Sequence, residues 1–132
     1  MTNVTDTTTT KLLPLFEQWA EMGSDRCRIT SKKEAVIYFN RSYQVMDTTV
    51  LLNCPSFLAI IQAVLQEAIV AKGWDMSLHF TAGTDGEAVG WIGEVDIHRL
   101  TRPSFWQVFH EAAAIALLTA YLQALKAVRV SV

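Results

Sequence analysis

The chain has 132 residues, 51% of them hydrophobic and 18% charged, with a formal net charge of −2 at neutral pH. That length and apolar share build one domain with its own core and exclude a disordered chain. The slight negative balance argues against whole-surface attraction to nucleic acid or to an anionic membrane.

In chain order, residues 1–10 (MTNVTDTTTT) are a Thr-rich stretch with nothing large to bury and read as a disordered tail. Residues 11–132 read as a single α/β domain. A short helix follows the tail: Leu12, Leu13, Leu15, Phe16 and Trp19 make an apolar face, Pro14 fits inside the first turn, and Gly23 supplies the stop. The segment from Ser24 to Arg41 holds Arg26, Arg28, Lys32, Lys33 and Arg41, five of the eleven basic residues, against Asp25 and Glu34. Inside it, Ala35–Phe39 is β-branched and aromatic and predicts a strand. Tyr43–Leu52 is a weaker strand whose first half also fits a loop. Pro55 then opens a helix, with Asn53 or Ser56 available as its cap. Its face is Phe57, Ile60, Ile61, Val64, Leu65, Ala68 and Ile69, and Lys72-Gly73 ends it.

The stretch from Trp74 to Leu100 alternates in two runs around Gly83-Thr84-Asp85-Gly86, which predicts a β-hairpin. Its pattern suggests Ala82 opposite Glu87, Phe80 opposite Val89, Leu78 opposite Trp91 and Met76 opposite Gly93. Met76, Leu78, Phe80, Val89 and Trp91 then share an apolar face, while Asp75, Ser77, His79, Glu94, Asp96 and His98 share a polar one. The second strand overruns the first through Val95 and Ile97, and Ala35–Phe39 is its expected partner. Thr101–Ser104 opens the last helical region, in which Phe105, Trp106, Val108 and Phe109 form a first turn or a separate short helix. From His110 onward the chain is rich in Ala and Leu, and Ala112, Ala116, Ala120 and Ala124 draw a small-residue stripe for a closely packed neighbour, either the sheet or a second copy.

The order Pro55–Leu65, Lys72-Gly73-Trp74, two strands, then His110–Leu118 resembles the phage ABA sandwich domain, over roughly Tyr43 to Leu125. The resemblance implies a viral origin and helix, sheet and helix layers. It implies no particular activity and brings no catalytic residue. The expected class is therefore α/β (α+β): an α-β-α layered sandwich with a mainly antiparallel sheet containing the 75–100 hairpin.

Three constellations bear on function. Glu94, Asp96 and His98 step along one strand about 6.5–7 Å apart, near His79 and Asp75, and could serve a metal ion or an acid–base pair. A solvated sheet face is the favoured reading, because His79 and His98 lie several pairs apart. No nucleophile elbow, phosphate-cradling loop or cofactor motif is present, so no catalytic residue, metal site or cofactor is assigned. The basic segment is the better lead: Arg26, Arg28, Lys32, Lys33 and Arg41, with Tyr43 as a stacking surface, suit an anionic, nucleotide-like ligand. Arg26 and Arg28 point the same way if extended.

The expectation is thus a non-enzymatic phage accessory binding protein that sequesters such an anion, for example a nucleotide defence signal, or blocks a host protein. A small metal-dependent hydrolase or nuclease on the polar hairpin face is the alternative, and a nucleic-acid-binding module is a third, disfavoured by the acidic remainder. Cys27 and Cys54 lack metal-ligand spacing and suit reduced thiols in a host cytoplasm. No signal peptide and no membrane span is read from the sequence, since the uncharged run between Glu111 and Lys126 is too short. The surplus of apolar helix surface predicts a homo-oligomer with the C-terminal helix in its interface.

Overall fold

A computed structural model describes residues 13–23, 25–31, 33–39, 42–48, 55–82, 89–97 and 105–131. The elements are α1 (Leu13–Met22), β1 (Cys27–Ser31), β2 (Glu34–Tyr38), β3 (Tyr43–Asp47), α2 (Pro55–Ala71), β4 (Asp75–Thr81), β5 (Gly90–Asp96), β6 (Phe105–His110) and α3 (Ala113–Ser131). The fold is mixed α+β, with helices layered on two antiparallel three-stranded sheets, β1-β2-β3 and β4-β5-β6. The expected tail and the Gly83–Gly86 turn lie outside the described residues. Among the described residues no helix is long and apolar enough to cross a membrane.

Local chemistry explains most of these elements. In α1 the apolar face buries Phe16 and Trp19 against β1 and α3. Helix α2 starts at Pro55 and buries Ile61, Val64, Leu65, Ala68 and Ile69. It closes at Gly73, where φ is 74°, a left-handed conformation that side chains with a Cβ rarely adopt. There Gly73 N donates to Val70 O at 2.9 Å and Trp74 N to Ile69 O at 3.2 Å, the paired bonds of a Schellman cap. Lys72 sits 5.4 Å from the centre of the Trp74 ring, a cation–π contact over the same turn.

The hairpin register differs from the expected one by two residues. Phe80 faces Trp91, Leu78 faces Gly93 and Met76 faces Val95. A slip of two keeps every side chain on its expected face, because the period is two. It matches all of β4 to all of β5 and places Phe80 5.3 Å from Trp91, edge to face. Trp91 is consequently only half-buried, towards the outer end of the hairpin, whereas Val95 is fully buried.

A second difference concerns residues 105–110, which form strand β6 rather than a helix. The aromatic and β-branched content of Phe-Trp-Gln-Val-Phe-His suits a strand, and its burial alternates with period two, with Phe105, Gln107 and Phe109 outward. It pairs with β5 along its full length, from Asp96↔Phe105 to Trp91↔His110. The expected pairing of Val95 and Ile97 with Ala35–Phe39 is replaced by this one. The 34–38 strand instead lies at the centre of the other sheet, between β1 and β3.

Helix α3 is the middle of the core. Ala114, Ile115, Ala116, Leu117, Leu118, Ala120, Tyr121, Leu122, Ala124 and Leu125 are all buried. The alanine stripe meets the sheet: a Cβ built on Gly93 would lie 2.6 Å from the Ala116 carbonyl carbon. Tyr121 is ringed by Trp19 and Trp74, at 6.5 and 6.1 Å between centroids. As far as Val128, the large apolar side chains of α3 are turned into the chain.

Candidate binding surface

The helices cover one face of the β4-β5-β6 sheet. Alternation places Met76, Leu78, Gly93, Val95, Trp106 and Val108 on the covered face. The opposite face carries Asp75, Ser77 and His79 from β4, Ile92, Glu94 and Asp96 from β5, and Phe105, Gln107 and Phe109 from β6. Phe105 is 52% and Phe109 43% exposed, high values for rings of that size. Phe109 stands opposite Ile92, and its ring lies on Gly90: a Cβ there would come within 2.8 Å of the ring. The missing side chain at Gly90 is what lets the ring lie against the sheet. Gln107 Nε2 donates to Glu94 Oε1 at 2.7 Å, which fixes the polar centre between the two phenylalanines.

The hairpin's polar residues do lie on this face, but they are spread along it. Asp75 faces Asp96, Ser77 faces Glu94 and His79 faces Ile92. His79 and Asp96 therefore stand two rows apart, about 13 Å along the strands, too far for one coordination sphere. Among the described residues no group of three or more His, Cys, Asp and Glu is placed to hold a metal ion. His98 lies outside the described residues.

The basic segment is also placed, in part. Arg26 precedes β1, and its side chain is only 12% exposed. Its Nη1 donates to Glu67 Oε1 at 2.6 Å and to Tyr38 O at 3.3 Å, so its charge is matched by a carboxylate of α2. Arg28 is exposed and alternates with buried Cys27, on the outer face of β1-β2-β3. Arg26 is thus sheltered, whereas Arg28 is exposed. Lys33 is exposed in the β1–β2 turn, and its carbonyl accepts from Thr48 N. Tyr43 is 65% exposed beside Tyr38, with ring centroids 6.5 Å apart. Lys32 and Arg41 lie outside the described residues.

Among the described residues, Arg26 and Lys33 stand at different ends of the sheet. Lys33 is five residues from Tyr38, the row that Arg26 joins, which is about 17 Å of strand. Glu34 and Asp47 face each other in the same sheet, so the surroundings of Arg28 are of mixed sign.

Sequence reasoning missed Phe105 and Phe109 as members of a sheet face. The spacing alone did not announce it, because residues four apart share a face in a helix as well as in a strand; only the aromatic and β-branched content of the run favours a strand.

No protein family model, curated protein or solved structure matches this chain.

Proposed function

We propose that the chain is a non-enzymatic binding protein whose working surface is the open face of the β4-β5-β6 sheet, and that its target is another protein. The observation that carries this reading is the exposure of Phe105 and Phe109 beside Ile92, with Glu94, Asp96, Gln107 and His79 around them. Exposed aromatic side chains next to hydrogen-bonding groups are enriched in protein interfaces. The resemblance to the phage ABA sandwich domain supports a viral accessory protein acting on a host component. An anion-sequestering role for the basic segment is less well supported, because Arg26 is already paired with Glu67.

Native mass spectrometry of the protein purified from its host cells tests the reading. A second protein carried at fixed stoichiometry, and lost from the Phe105→Ser/Phe109→Ser variant, supports it. A co-purifying nucleotide would transfer the function to the basic segment. Consumption of an ester or phosphodiester substrate would transfer it to the hydrolase alternative.

A further inference from the structure

Four strands stand at sheet edges among the described residues: β1, β3, β4 and β6. An edge strand leaves half of its N–H and C=O groups pointing outward, and proteins commonly protect such edges with charges, proline or a bulge. Here β1 carries Arg28 and a register irregularity between Ile29 and Ser31, β3 carries Asp47, and β4 carries Asp75. Only β6, with the sequence Phe-Trp-Gln-Val-Phe-His, has no Asp, Glu, Lys or Arg and no proline. Its one titratable group, His110, accepts a hydrogen bond from Ala112 N at Nδ1, as a neutral imidazole does.

We infer that β6 pairs edge to edge with β6 of a second copy of this chain, about a two-fold axis through Gln107, to give one continuous six-stranded antiparallel sheet. This inference concerns the edge of β6; it shares Phe105 and Phe109 with the proposed binding face but does not depend on what that face binds. The strand's sequence is self-complementary about that axis. Phe105 falls opposite Phe109 of the second copy, and Phe109 opposite Phe105, so four phenylalanines form one band across the junction. On the covered face Trp106 falls opposite Val108, and the reverse. Gln107 meets its own counterpart. Its Nε2 is bonded to Glu94, and an amide nitrogen has two hydrogens, so each Gln107 keeps one hydrogen and its carbonyl for the other. A slip of one residue would oppose side chains from different faces, and a slip of two would carry the outer phenylalanines past the end of the partner strand.

Charge also permits the pairing. Within the strands, the acidic positions that face each other across the junction are the two Glu94, on β5 of each copy. Three strand spacings separate them, about 14 Å, which exceeds the screening length of roughly 8–10 Å in physiological salt. Because the helices lie on the Val95 side in both copies, the sheet can extend without a helix crossing the junction.

Sedimentation velocity of the full chain at tens of micromolar, with Gln107→Lys as the comparison, decides the matter. Two lysines would meet at the axis, while each could still pair with its own Glu94, so the monomer fold should survive; circular dichroism checks this. The parent should sediment as a dimer, and the variant's dissociation constant should rise at least tenfold. As a register check, Gln107→Cys should form a 107–107 intermolecular disulfide on oxidation, found by peptide mapping and distinct from any link through Cys27 or Cys54. A parent that stays monomeric at these concentrations overturns the inference. So does a dimer that a folded Gln107→Lys variant leaves intact, or oxidised Gln107→Cys without the 107–107 link.

Discussion

Gly93 of β5 lies so close under α3 that a Cβ there would come within 2.6 Å of both the Ala116 carbonyl carbon and the Leu117 nitrogen. These obstructing atoms belong to the helix backbone, so no rotamer change relieves them. Overpacking a well-fitted core costs about 1–3 kcal/mol. Gly93→Ala should reach the upper part of that range in chemical denaturation. A loss under about 1 kcal/mol would mean that α3 can lift from the sheet without penalty.

Arg26 and Glu67 join the start of β1 to α2 through a largely sheltered pair. Charge-assisted hydrogen bonds contribute about 1.5–3 kcal/mol, and the partial exposure of Glu67 puts this one at the lower end. Arg26→Ala should therefore destabilise the fold by about 2 kcal/mol. In a double-mutant cycle with Glu67→Ala the coupling should be about 1 kcal/mol or more. A negligible coupling, together with loss of nucleotide binding in Arg26→Ala, would instead assign the guanidinium to an external anion.

Acid should weaken the start of α3. Ala112 N donates to His110 Nδ1 at 2.9 Å, a bond that only the unprotonated nitrogen accepts. Burial lowers the His110 pKa below its ordinary value, against a smaller opposing pull from Glu111. The folded state then binds fewer protons than the unfolded one, so this stabilisation is complete above the ordinary histidine pKa and is lost as pH falls through the folded value. Urea midpoints measured from pH 7.5 downward should decline in the parent and decline less in His110→Gln. Parallel pH profiles for the two would remove His110 from the account.

Cys27 should be chemically silent in the native protein. Its thiol is buried beside the Phe16 carbonyl, and burial pushes its pKa up to about 12. At pH 8 the thiolate fraction is then only about one in ten thousand, and the thiolate is the reactive form. Alkylation at pH 8, followed by peptide mapping, should leave Cys27 unmodified until denaturant is added. Rapid labelling without denaturant would contradict its burial.

The helices were legible in the sequence because their signals are local: Pro55 and Gly73 bound α2, and its apolar residues recur at helical steps. The faces of the hairpin were legible for the same reason. What separates Leu78↔Trp91 from Leu78↔Gly93 is not local, since both registers keep the same faces. Strand β6 was hidden by its length and neighbours: six residues that carry four large apolar side chains, directly before an Ala-rich helix, also satisfy a helical first turn. The partnership of Arg26 with Glu67 joins distant parts of the chain, and no pattern within the basic segment announces it.

Helix α3 is the last element in chain order, yet it touches β5, β6, α2 and α1. Synthesis proceeds from the N-terminus at about 5–20 residues per second. Trp19 and Val95 therefore leave the ribosome before the helix that covers them exists. The earlier elements hold no complete core of their own, so the core cannot close until α3 has left the ribosome. Contacts such as Trp19–Tyr121 close very long loops, which slows folding. Until α3 packs, the sheet face that it covers in the finished fold stays open to water.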